Sequence, residues 1–288
     1  MLNKRWEVMD VVSLILLSIL TLLISYPIYN ALIISVSSVQ DYTVNPSMLF
    51  PKSFQIENYK YLFARSTLIT GYRSTIIITI VGTALSLMVS VMTGYALSRK
   101  GYPGRKLLFK LMLFTMFFNG GLVPTYLQMK NMNLLDSLWS IILLVGITPY
   151  NIIIIKNSFG QTPESIQEAA KVDGANEMTI FFKVMLPLQI PIVATFGLFI
   201  AVSYWNEWYW SMLLLNKREL MTLQLVLRSI INEASGAAEI AGSVASESVF
   251  SYGVKMAAVV ATMLPVMVIY PFIQKYFTKG ILVGAIKE

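Results

Sequence analysis

Residues 75–97 read TIIITIVGTALSLMVSVMTGYAL, an uncharged apolar run long enough for the roughly 20 residues of helix that cross a bilayer core. Its apolar residues do not alternate with polar ones, as the short strands of a membrane barrel require, so the run predicts a spanning helix. Comparable stretches occur at about 11–36, 107–127, 138–155, 190–215 and 256–277. Composition agrees: of 288 residues 56% are hydrophobic and 13% charged, whereas a soluble domain carries roughly 25% charged residues. The expected fold is an all-α membrane protein with six spans, forming one domain over residues 1–288.

The first run is too long for a signal-peptide core, and Tyr26, Pro27 and Tyr29 stand where a small-residue cleavage site would be. It is therefore expected to remain as a helix. Cationic loops resist translocation. Lys4 and Arg5 precede the first span and Arg99, Lys100, Arg105 and Lys106 crowd the link between the second and third, whereas Lys130 stands alone between the third and fourth. Both termini are thus expected in the cytoplasm. Lys52, Lys60, Arg65, Lys217 and Arg218 fall outside and make the bias mild. A net charge of +7 is accounted for by these loops, and nothing suggests nucleic acid. Cysteine and histidine are both absent from the sequence, which removes disulfides, thiolate chemistry and histidine-based catalysis. No GxxxxGK[ST] loop is present either, so whatever drives this protein is bound elsewhere.

The segment between spans four and five, about 156–188, predicts two surface helices. Thr162 reads as a cap, Pro163 as the first helical position and Glu164 as a first-turn acid suited to the helix dipole. The first helix should end at Gly174, which tolerates the left-handed conformation of a helix stop. In the second, Met178, Phe181, Phe182 and Met185 fall three and four apart and form an apolar face, and Pro187 with Pro191 ends it. Such a helix either packs on its own membrane domain or meets a partner. Ala169 and Ala170 make the first helix a surface that another backbone can approach closely, beside the carboxylate of Glu168. That is the shape of a docking knob. Two other long segments, about 37–68 and 216–255, are expected outside, the latter with the Ala/Gly/Ser-rich stretch EASGAAEIAGSVASES as a flexible loop or a partner-ordered one.

EAAKVDGANEMTIFFKVMLP resembles the EAA-x3-G-x9-I-x-L-P loop of ABC-importer permeases, with Glu168, Ala169, Ala170, Gly174, Leu186 and Pro187 in place and Val184 at the usual isoleucine. TGYALSRKGYPGRK, GGLVPTYLQMKNMNLLDSLWSIIL, ATFGLFIAVSYWNEWY and KGILVGAIKE are similar to the maltose-type second permease of carbohydrate importers, most closely the branch handling oligosaccharides or polysaccharide fragments. The resemblance is dense from Thr93 to Glu288. It implies the type I ABC-importer permease fold, with a coupling loop over 157–188 whose ATPase contacts include Glu168, Ala169, Ala170, Asp173, Gly174, Leu186 and Pro187. It also implies a homologous second permease as heterodimer partner, two ATPase subunits that bind ATP and Mg, and an external sugar-binding protein. The location implied is the bacterial cell membrane, and this chain itself would hold no cofactor or metal and perform no catalysis. The terminal Glu288 departs from the family's usual glycine.

A sugar is held by aromatic faces and planar hydrogen-bonding groups in a cavity near mid-membrane. The candidates are Asn119 and Tyr126 in span three, Tyr150 and Asn151 in span four, and Tyr204, Trp205, Asn206, Glu207 and Trp208 in span five. For the aromatic residues the alternative is an interfacial belt. Glu207 lies within a span, where a lipid-facing carboxylate is unfavourable; it is expected to face the cavity or a polar partner, with Tyr204 or Trp208 as a stacking surface, unless it snorkels to the interface. Rival functions are the same machine for a glycerol phosphate or a peptide, an ion-coupled secondary transporter, and a membrane enzyme. The last two lack the buried ionisable path or the nucleophile they would need.

Overall fold

The computed structural model describes residues 8–101, 103–240 and 251–285, with backbone alone for 234–240 and 272–285. Among the described residues every regular element is helical. The helices are α1 (Val8–Ser35), α2 (Val39–Val44), α3 (Glu57–Phe63), α4 (Ser66–Ser98), α5 (Arg105–Phe117), α6 (Leu122–Asn131), α7 (Leu138–Val145), α8 (Pro149–Gly160), α9 (Glu164–Val172), α10 (Glu177–Leu188), α11 (Ile190–Trp205), α12 (Tyr209–Leu214), α13 (Leu223–Ile240) and α14 (Ser251–Ala285). Among the described residues α1, α4 and the Ser251–Pro271 part of α14 are long and apolar enough to cross a membrane unbroken. The pairs α5–α6, α7–α8 and α10–α11 meet that test only together, bent by 118°, 49° and 78°.

Each bend has a local cause. Between α5 and α6 the chain reads Asn-Gly-Gly: the Asn119 side-chain oxygen accepts the Gly121 N–H at 2.9 Å, and Gly121 holds a φ of 87°. Span three is thus two helices rather than the single one its apolar run suggests. Between α7 and α8, Thr148 caps the new helix through Asn151 N–H and Pro149 occupies its first position. Pro187 and Pro191 bracket the third bend, where Gln189 is buried, bonded to the Ser158 hydroxyl and donating to Thr162 Oγ1 at 3.0 Å.

The chain falls into two compact units. The first comprises the described residues of Met1–Ser66 and Leu227–Pro265. Within it Asn58 donates to the Ser35 and Ser37 carbonyls, Asp41 accepts from Ser53, Arg65 pairs with Glu233 at 2.9 Å and Tyr42 stacks on Tyr252. The most apolar stretch of α1 is entirely unburied, as suits a helix surrounded by acyl chains. The Ala/Gly/Ser-rich stretch from Glu233 is helical as far as Ile240, contrary to the flexible reading, because alanine and glutamate are strong helix formers. Its remainder, 241–248, lies outside the described residues, as do Lys4, Arg5 and Glu288.

The second unit, Thr67–Val226 and Val266–Glu288, is organised on α4. The buried face of that helix carries Gly71, Thr75, Gly82, Ser86, Ser90 and Gly94, small residues mostly four apart that let neighbours approach closely. The Tyr204 ring lies against Gly82, where an added Cβ would sit within 2.8 Å of three ring atoms. Ile155 and the Lys156 backbone lie against Gly94 in the same way. Two apolar clusters result. One gathers Ile78, Ile141, Ile142, Ile200 and Leu214; the other gathers Val91, Ile155, Phe159, Ile180, Phe181, Met185 and Phe196 beneath α9 and α10.

Candidate coupling site and solute path

Helix α9 starts at Glu164, one residue later than its capping pattern suggests. Pro163 keeps an extended ψ of 136°, and the Thr162 hydroxyl accepts from Gln189 instead of capping. Glu164 still opens the helix, and the Lys100 ammonium at 2.6 Å holds its carboxyl below the usual range. The far end is a Schellman stop: Gly174 N–H donates to Lys171 O and Ala175 N–H to Ala170 O, each at 3.0 Å. Gly174 sits at φ 79° with open space where a Cβ would be, so backbone conformation alone makes this position favour glycine. Asn176 then caps α10 by accepting the Thr179 N–H at 2.8 Å.

Residues Ile180–Met185 wind as π-helix. The wider turn brings positions five apart onto one face, so Ile180 and Met185 point inward with Phe181, while Met178 and Phe182 stay 62% and 52% exposed. The apolar face inferred from α-helical spacing is therefore half right: two of its four members are buried. Gln167 reaches inward from α9 to the Met185 sulfur.

The residues expected to meet an ATPase fall into two sets. Glu168, Ala169, Asp173 and Gly174 are exposed around the Schellman turn. Ala170 and Leu186 are half-buried against the apolar cluster, and Pro187 is exposed at the end of α10. Sequence reasoning missed Val172, which is 87% exposed next to Asp173. Its signal was an apolar residue in an otherwise polar turn. Between α9, α10 and the end of α4 opens a cleft of about 850 Å³ lined by Tyr95, Arg99, Lys100, Glu164, Lys171 and Glu177, among others. Glu177 pairs with Lys171 at 3.0 Å and Arg99 at 3.5 Å, and these cations, Lys171 foremost, hold its carboxyl low.

The candidates for the solute path are not one cluster of open side chains. Tyr204 is fully buried, its hydroxyl donating to Ile142 O, accepting Gly146 N–H at 3.1 Å and bonded to Ser86. It offers no ring face to a solute, contrary to the expected stacking role, because small residues on α4 and Gly146 let it sink into the core. Trp205 is also buried, at 8% exposure. Glu207 lies in the break between α11 and α12, where its Oε1 accepts the Trp210 N–H at 2.6 Å and the Ser211 N–H at 3.4 Å. The carboxylate caps α12 instead of turning to an open cavity, and the positive end of that helix suits its charge. Asn206 bonds Val202 O and Gln224, and Trp208 meets Tyr209 edge-on. Tyr150 is 55% exposed and inclined to Phe196. Asn151 is partly buried and donates to Gly146 O, Tyr126 packs on the first apolar cluster, and Asn119 is exposed in the α5–α6 break.

Residues 86–283 match the family described as the binding-protein-dependent transport system inner membrane component. Protein LplC of Bacillus subtilis (strain 168) is 36% identical over 99% of this chain and 97% of its own length. The polygalacturonan/rhamnogalacturonan transport system permease protein YtcP of the same organism is 36% identical over 100% of both chains. A chain from the crystal structure of a bacterial ABC transporter involved in the import of the acidic polysaccharide alginate superposes with a TM-score of 0.87 at 34% identity, covering 96% of this chain and 100% of that one. The all-α architecture is that of a type I ABC-importer permease, and the chain belongs to the binding-protein-dependent transport system inner membrane component family.

Proposed function

We propose that this chain is one of two homologous permeases in an ATP-driven importer that carries fragments of an acidic polysaccharide across the bacterial cell membrane. The observation that carries the reading is the loop from Glu168 to Pro187. A helix ended by a Schellman turn stands on a buried aromatic base and presents Glu168, Val172 and Asp173 to solvent. An exposed apolar residue among carboxylates suits a groove with an apolar floor and a cationic rim. In the proposal that groove belongs to an ATPase subunit, two of which bind the ATP and Mg. The loop, with α10, and both termini face the cytoplasm, and α1, α4, α5–α6, α7–α8, α11 with α12, and α14 make six crossings. An external binding protein delivers the solute from the opposite side.

The acidic solute is supported by two relatives, one named for polygalacturonan and rhamnogalacturonan, the other described by alginate import. Lys52, Lys60, Arg65, Lys217 and Arg218, on segments assigned outside, would draw in a polyanion. Helix breaks at membrane depth are tolerated where they line water or are covered by protein, which favours Asn119 and Asn151, beside two of the breaks, as path residues along with Tyr126, Tyr150, Asn206 and Trp208. Trp205, Tyr204 and Glu207 support the path from behind. The test is uptake by proteoliposomes holding the assembled complex, offered oligogalacturonides, alginate oligomers or neutral maltodextrins with the cognate binding protein. Acidic oligomers should be accumulated with ATP hydrolysis. Equal uptake of neutral maltodextrin would remove the acidic solute, and ATP hydrolysis by this chain alone would remove the permease reading.

A further inference from the structure

We infer that α4 is a transmission rod, and that Arg99 and Lys100 at its end are its grip on the docking loop. The inference rests on the permease reading and adds to it a set of positioning residues.

The grip is made of several independent contacts. Lys100 holds Glu164 in the first turn of α9, and Arg99 holds Glu177 in the first turn of α10. The two helices that flank the Gly174 turn are therefore both tied to one short stretch of chain. Tyr95, one turn earlier, donates its hydroxyl to Glu177 at 3.3 Å. Its ring lies edge-on to Phe159 with centroids 5.4 Å apart and 4.8 Å from Phe181, while the Arg99 guanidinium stacks over it at 5.3 Å. Movement of α9 and α10 relative to α8 would have to drag this end of α4 or break these contacts.

The other end of α4 is clasped equally closely. Thr75 Oγ1 accepts the Leu223 N–H at 2.8 Å, and Ser74 donates to Glu219 O at 3.3 Å. Gly71 lies so near Leu223 and Val226 that an added Cβ would fall 3.2 to 3.5 Å from them. One unbroken helix of 33 residues carries both clasps, and from Thr75 to Tyr95 it runs about 30 Å at 1.5 Å per residue. Bent pairs can absorb a displacement at their hinges, whereas an unbroken helix passes it on. The route thus leads from the docking loop to residues 219–226, where α13 begins.

The Lys100–Glu164 pair is exposed, its side chains 79% and 60% accessible, whereas Arg99 beside Glu177 is 21% accessible. Exposed pairs contribute little to fold stability, so their loss should leave insertion and assembly intact and act on coupling. The test uses the complete transporter in lipid nanodiscs with its ATPase and binding protein. Lys100→Glu should keep ATPase association and basal hydrolysis while stimulation by the loaded binding protein falls at least about threefold, a loss a merely structural pair would not produce. The swap Lys100→Glu with Glu164→Lys should restore most of that stimulation. Hydrogen exchange gives the second readout: ATP should change protection at 219–226 in the parent complex, and in Lys100→Glu that change should vanish there while persisting at 164–186. Unchanged stimulation, no rescue by the swap, or a persisting change at 219–226 would each overturn the rod. A parent chain that captures no ATPase would overturn the permease reading first, which separates the two failures.

Discussion

Glu168 on the proposed docking loop and Glu207 after α11 are the same side chain in opposite situations. Glu168 is exposed on a helix whose end is satisfied without it, since the Schellman turn supplies the backbone partners. Glu207 is half-buried and its carboxylate is committed to the N–H groups of Trp210 and Ser211. An acid that the fold does not use is available to a partner, and an acid that closes a helix break is not. The difference separates the turn proposed as a docking surface from a polar cluster that holds a helix break.

The strongest way to sharpen this contrast is to damage the docking surface through its backbone. Gly174→Val places a β-branched residue at φ 79°, where left-handed geometry costs roughly 1–2 kcal/mol for ordinary residues and more for branched ones. Uptake by the assembled transporter should fall at least about tenfold while membrane insertion stays normal, a factor worth about 1.4 kcal/mol. Transport and ATPase association at parental levels would mean that the turn is not the docking element.

The next effect lies in the other region and should read as stability rather than selectivity. Tyr204→Phe leaves the Gly146 N–H without its acceptor and removes the bonds to Ser86 and Ile142. A buried donor left unsatisfied costs about 1–3 kcal/mol, so the purified chain should melt earlier with its sugar preference unchanged. A changed preference without a change in melting would return Tyr204 to the solute path. Glu207→Ala should be milder, about 1 kcal/mol for a lost cap, and Glu207→Gln milder still because its amide oxygen can accept the same N–H groups. Equal melting of the two variants would show that capping is not what Glu207 does.

What the sequence made legible followed from length and from motif. Apolar runs at 75–97 and 11–36 announce spanning helices because nothing else tolerates so many apolar residues in a row, and Gly174 announces a helix stop because few other residues hold that conformation. The bends were harder. Asn119-Gly120-Gly121 is a breaker cluster in plain view, yet the surrounding apolar count outweighed it. The π-turn from Ile180 to Met185 leaves no compositional trace, so spacing alone assigned Met178 and Phe182 to the wrong side. Tyr204 sinks into the core, and for Glu207 the choice between cavity and polar partner stayed open, because a sequence shows that a polar group lies within a span but not which backbone and side-chain groups already occupy it.

The smallest expected effect concerns protonation at the docking loop and sets that loop against its own scaffold. Glu177 is paired with Lys171 and Arg99, and its carboxyl is held below the ordinary value of 4.5. A carboxylate whose folded pKa is lowered stabilises the fold fully above its unfolded pKa, and that stabilisation is lost as pH falls through the folded value. The loss therefore begins near pH 4.5 and completes below it, with no change between pH 6 and 8. Glu177 is 58% exposed, so screening limits the contribution to roughly 0.2–1 kcal/mol. Amide exchange at residues 176–186, corrected for its intrinsic pH dependence, should show extra opening below pH 4.5 in the parent chain. Glu177→Gln should show that opening already at pH 7 and no further step. An identical acid step in both chains would mean that another carboxylate, with Glu164 on Lys100 the next to try, holds α10 to the end of α4.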